Sequence, residues 1–157
     1  MNAKGFTLIE LLITIAIIGI VAAIAIPNLL TALHKGKLKA TMGDMKSIGT
    51  ALESYMTDNS MAPGGGTLSR IIDLGVYLVP FYIKRLPSLD GWGGGLRYES
   101  GAPGPEQELY SVISYGKDWL DTGVNIGLNG YVITSRVDFG NDICFSNGVF
   151  TYAPKVK

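Results

Sequence analysis

The sequence predicts an α+β protein: a long N-terminal α-helix packed against a small antiparallel β-sheet, with an irregular C-terminal loop. Three observations carry this. Phe6 to Leu33 is predominantly apolar, and Glu10 is its only ionisable side chain. Beyond it, apolar residues recur at spacings of three and four, the period of a helix with one buried face. From residue 96 onward, short runs rich in tyrosine, valine and isoleucine alternate with glycine and proline breaks, the pattern of short strands.

The first element is the apolar stretch. At about 1.5 Å per residue, residues 6–33 are long enough to cross a hydrocarbon core of about 30 Å. A secretory signal peptide is the main rival, because Ala23-Ile24-Ala25 resembles a small-x-small cleavage site. Glu10 inside the apolar run and Pro27 just past that site argue against it. An ionised acid at bilayer depth costs roughly 2.5–3.5 kcal/mol, so Glu10 needs a partner. Lys4 lies off the three- or four-residue helical spacing, and no lysine or arginine is within reach on the other side. The charge must then be created after synthesis or brought by a neighbouring chain. A cut between Gly5 and Phe6 would supply it as the new amino group of Phe6.

Next, Met42, Met45, Ile48, Leu52 and Met56 share one helical face, while Asp44, Lys46 and Glu53 fall elsewhere. This helix should end near Asp58-Asn59-Ser60, ahead of Pro63 and Gly64-Gly65-Gly66. Pro27 removes one backbone hydrogen bond and should kink or weaken the helix upstream. Ile71 to Val79 reads as a short helix over the main one. Leu96-Arg97-Tyr98 and Glu108 to Tyr115 read as strands joined through Gly101-Ala102-Pro103-Gly104-Pro105, hence an antiparallel hairpin. A further pair, Tyr131-Val132-Ile133 and Gly148 to Tyr152, should either extend the sheet or cap the loop. Asp90-Gly91-Trp92-Gly93 forms a tight turn whose tryptophan anchors against the helix.

Thirteen basic residues balance thirteen acidic ones, so nothing points to nucleic acid as a partner. Cys144 is the only cysteine and cannot close an intrachain disulfide; its neighbours Ile143 and Phe145 favour burial. No phosphate loop, zinc spacing or nucleophile elbow is present, and His34 sits on the lysine-rich stretch beside the apolar segment, so the expectation is that the chain is not an enzyme.

Gly5-Phe6-Thr7-Leu8-Ile9-Glu10-Leu11-Leu12 resembles the processing site of type IV pilins and type II secretion pseudopilins. In that family a membrane peptidase cleaves after the glycine and methylates the new N-terminal phenylalanine, and the glutamate pairs with a neighbour's N-terminal amine during filament assembly. Asp90-Gly91-Trp92-Gly93 followed by Tyr98 resembles the segment entering the sheet of major pseudopilins. The resemblance implies a leader at 1–5, a transmembrane and assembly helix half at 6–33, and a periplasmic globular domain at 34–157. It also implies a structural subunit that polymerises into the periplasmic pseudopilus of a type II secretion system, with a type IV pilus pilin for adhesion or motility as the alternative.

Copies of itself, minor pseudopilins, an inner-membrane assembly platform and the prepilin peptidase, which is also the N-methyltransferase, would be its partners. The counted lysines around the apolar run would place the C-terminal domain in the cytoplasm, whereas the resemblance places it in the periplasm. Finally, Ser114-Tyr115-Gly116-Lys117-Asp118 with Asp138-Phe139-Gly140-Asn141-Asp142 resembles the calcium-binding loop of major pseudopilins. By family position the ligands would be the Tyr115 carbonyl, Asp118, Asp138 and Asp142, with Asp121 and Asn141 as substitutes; Trp119 stands where the family often has glycine.

Overall fold

The computed structural model describes residues 5–64, 69–101, 104, 107–123, 132–134 and 138–154. Most of the expected leader, Gly65-Gly66, Ala102-Pro103, Pro105 and Tyr131 lie outside the described residues. By its contacts the chain divides into two units, Met1–Lys35 and Gly36–Lys157.

In the first unit, α1 begins at Leu8; the whole helix is Leu8–Asn59 and includes Pro27. Its apolar side chains are open to the surroundings here, Leu8 at 88% and Leu29 at 70%. It is the one helix among the described residues that is long and apolar enough to cross a membrane.

In the second unit the helix is amphipathic. Leu38, Met45, Ile48 and Leu52 are fully buried, and Met42 and Met56 pack at the margin, so the face read from the spacing is the core face. The helix ends where the sequence breaks it: Ser60 turns into the left-handed region at φ 57° while donating its backbone N–H to Met56. A two-residue strand, β1 (Ser69–Arg70), then leads into a 3-10 turn (Ile71–Leu74) and α2 (Gly75–Leu78), whose Ile71, Leu74 and Leu78 complete the core. The expected short helix is therefore there, split in two.

The remaining strands are β2 (Arg97–Ser100), β3 (Tyr110–Ser114), β4 (Val132–Thr134), β5 (Ile143–Ser146) and β6 (Val149–Pro154). They form one sheet in the order β1-β2-β3-β5-β6-β4. Every pairing is antiparallel except the last, for β4 joins β6 in parallel at the edge. The expected hairpin is β2 with β3. The expected late pair is β4 with β6, and it extends the sheet; the two run parallel because β5 intervenes in the chain and reverses direction between them.

Alternation then decides what each face buries. Tyr98, Val112 and Phe145 are cross-strand neighbours and belong to the core with α1, whereas Arg97, Ile113 and Cys144 share the opposite face. Cys144 is a free thiol with no surface exposed, and burial pushes its pKa up, which keeps it neutral. Helix and sheet approach closely at Gly49, where an added methyl would stand 2.2 Å from Cε1 of Phe145.

Candidate functional site

The N-terminal unit carries the first candidate site. Gly5 and Phe6 precede the helix and are exposed. Thr7 is its N-cap residue and Glu10 stands three positions on. The Glu10 carboxylate accepts from the Thr7 backbone N–H at 2.9 Å and from its hydroxyl at 2.6 Å, and Thr7 Oγ1 accepts from Glu10 N–H at 3.3 Å. This is a reciprocal capping box. Glu10 thus has a partner in its own chain, where the helical spacing alone suggested none. Both of Thr7's groups are neutral, so among the described residues the negative charge has no opposite charge beside it. Thr7 is the residue that a reading centred on charge misses, and the Thr-x-x-Glu spacing was the available signal.

The second candidate lies in the globular unit and starts from Asp90, which is 7% exposed. One carboxylate oxygen accepts from the backbone N–H groups of Trp92 and Gly94 at 2.9 and 2.8 Å; the other accepts from the Ser114 hydroxyl at 2.8 Å. The turn is closed by bridging between Leu89 and Gly95 and docked on α1 by Gly91 N–H donating to Thr41 Oγ1 at 2.8 Å. Gly91 has no room for a side chain, since a methyl there would meet the Lys37 carbonyl oxygen at 2.5 Å. Trp92 packs against the core as expected.

Ser114 also accepts from Gly116 N–H at 3.2 Å, which couples this turn to the acidic loop. There the structure brings Asp118 and Asp138 together: a methyl on Gly140 would lie 3.0 Å from Asp118 Oδ2 and 3.6 Å from Asp138 Oδ1. The carbonyls of Phe139, Gly140 and Asn141 close around Gly116. Asp142 is fully buried. Its Oδ2 accepts from Thr122 N–H at 3.0 Å, while Oδ1 has no hydrogen-bond partner among the described residues. Burial raises its pKa, and the carboxylates of Asp121 and Asp118 add to the rise. Asp121 accepts from the Tyr115 hydroxyl at 3.4 Å.

Among the described residues no three acidic side chains are grouped closely enough to hold an ion. The donors are nonetheless of the kind a hard cation takes, and the orphaned Asp142 oxygen is the group an added cation would satisfy. Trp119 has φ 58°, a left-handed backbone that favours glycine, and its ring lies over Gly94.

Residues 1–26 match the prokaryotic N-terminal methylation motif, and residues 28–127 match the family described as type II secretion system protein G. A type II secretion system core protein G of Pseudomonas aeruginosa is 32% identical over 134 residues, 79% of this chain and 93% of the relative. Core protein G of Dickeya chrysanthemi is 33% identical over 133 residues, 79% of this chain and 84% of the relative. That of Vibrio cholerae is 32% identical over 133 residues, 78% and 86% respectively.

Proposed function

This chain belongs to the type II secretion system protein G family, and from that premise we propose how it works as a pseudopilus subunit. It is a structural subunit of the pseudopilus of a type II secretion system. The match over residues 28–127, beyond the shared N-terminal motif, favours this over the type IV pilus pilin. We assign it no reaction. In our reading a prepilin peptidase cuts between Gly5 and Phe6 and methylates the Phe6 amine, leaving its charge in place. The mature chain rests in the inner membrane through residues 6–33, with its globular unit in the periplasm, until the assembly platform and minor pseudopilins draw it into the filament.

Glu10 is the observation that carries this reading. Its carboxylate sits in an exposed apolar helix where, among the described residues, the neutral groups of Thr7 are what it binds. Opposite charges about 4 Å apart attract by about 4 kcal/mol at an effective dielectric of about 20. That is comparable with the roughly 2.5–3.5 kcal/mol cost of an acid at bilayer depth. A neighbour's Phe6 amine therefore stabilises Glu10 in the filament more than Thr7 does in the free subunit. Glu10→Leu should be inserted and cleaved normally but give few pseudopili, scored by electron microscopy of sheared filaments. Normal filament yield would refute the pairing.

For the acidic loop we propose calcium, held by the Tyr115 carbonyl, Asp118, Asp138 and Asp142, with Asp121 and Asn141 in reserve. The buried, unpartnered oxygen of Asp142 supports this. When bound, calcium would supply positive charge that cross-links the segment after β3 to the segment before β5.

A further inference from the structure

We propose that the cleft bounded by β1, β2 and the Asp90–Gly95 turn is a binding site for a small organic carboxylate with a flat apolar body. Its volume is about 510 Å³. That lies within the roughly 300–1,000 Å³ of small-molecule sites and is too small for a protein-sized face.

Its charge comes from two arginines. Arg70 of β1 and Arg97 of β2 stand directly opposite each other in the antiparallel register, so their side chains share a face of the sheet, and both line the cleft. Like charges placed opposite each other destabilise a strand pair unless something between them is negative. Arg70 has a partial answer in Asp73, 3.3 Å away in an exposed ion pair of the kind that contributes little. Arg97 is half-buried and makes no hydrogen bond or ion pair among the described residues. Asp121 reaches the Tyr115 hydroxyl on the cleft wall, but the charged side chains that line the cleft itself are the two guanidinium groups, which suits an anion.

The other walls describe the rest of the ligand. Ile72, Leu89 and Leu96 are apolar, Tyr115 and the 59% exposed Trp119 offer ring faces, and Gly93 to Gly95 form a floor without side chains. Trp119 is kept over that floor although its backbone takes a conformation that glycine would hold at lower cost. A planar guanidinium takes a carboxylate with two parallel hydrogen bonds, and the ring faces take the body. The site neither uses the acidic residues of the neighbouring loop nor depends on filament assembly.

The test uses the full chain in detergent micelles, with benzoate as the probe and ligand-observed NMR as the readout. Benzoate should bind saturably, and neutral benzamide and inorganic phosphate should bind much more weakly. Arg97→Gln should weaken benzoate by about tenfold, equivalent to about 1.4 kcal/mol, without lowering the thermal melting followed by circular dichroism. Should that variant fail to fold, Arg70→Gln carries the same expectation. The proposal is overturned if benzoate shows no saturable binding, if benzamide or phosphate equals it, or if the folded variant binds like the parent.

Discussion

Removing the Asp90 carboxylate should cost more than any other single change in the turns of this domain. Asp90→Ala leaves three donors without their acceptor: Trp92 N–H, Gly94 N–H and the Ser114 hydroxyl. Trp92 and Gly94 are half-exposed, so water can reach them and each loss falls near about 1 kcal/mol; Ser114 is wholly buried and costs about 2. The sum is about 4 kcal/mol, or a fall in melting temperature of about 10 °C for a chain of this size. Asp90→Asn keeps one oxygen for the two backbone donors. Its amide can donate to Ser114, whose oxygen has a second lone pair besides the one taken by Gly116. That variant should lose only about 1 kcal/mol. Urea denaturation of the full chain in detergent, followed by near-ultraviolet circular dichroism, separates the two. If the alanine variant stays within about 0.5 kcal/mol of the parent, the range of neutral surface changes, Asp90 is an ordinary turn residue. An asparagine variant as unstable as the alanine one would place the effect in the charge and not in the geometry of acceptance.

Gly49→Ala drives a methyl into the Phe145 ring and should destabilise by about 1–3 kcal/mol, read by the same denaturation; an unchanged midpoint would mean the ring swings aside freely. Calcium should stabilise the fold by about 2.7 kcal/mol at a hundredfold excess over Kd and so raise the melting temperature relative to chelator, with magnesium a poor substitute. Asp118→Ala should abolish most of that gain and Asp73→Ala none of it; identical parent melting in calcium and in chelator would leave the aspartates as turn formers. Because burial raises the pKa of Asp142 above its ordinary 3.8, the folded state holds the proton more tightly than the unfolded. In chelator, stability should therefore fall as pH rises from that value through the folded pKa, and Asp142→Asn should flatten the slope in a pH series of melting curves.

What the sequence disclosed follows the physics that dominates each segment. α1 was legible because its period and its stop signals agree: Met45, Ile48 and Leu52 mark the buried face, and Ser60 turns out of the helix ahead of Pro63. β2 and β3 were legible from turn chemistry. β5 was not, because Ile143, Cys144 and Phe145 are all buried and so show no alternation, and Asp142 and Asn141 ahead of them read as loop. The parallel pairing of β4 with β6 depends on β5, so its direction was not legible either. At the site, Asp90 was recognised as a turn residue, but its bond to Ser114 joins positions far apart in the chain and no local pattern encodes it. Asp118 and Asp138 were named from resemblance and are brought together by the fold around Gly140.

The ends of the sheet bear on a danger specific to a protein made to polymerise. Every unpaired strand edge offers amide and carbonyl groups to another molecule, and a chain concentrated with its own copies meets that offer constantly. Among the described residues the two outermost strands are Ser69–Arg70 and Val132–Thr134, two and three residues long, and one of them carries an arginine. So brief a ladder gives an incoming strand few bonds and no extended register in which to settle. Cross-β stacking, the irreversible way for identical chains to join, is thereby disfavoured, and growth is left to other, reversible contacts.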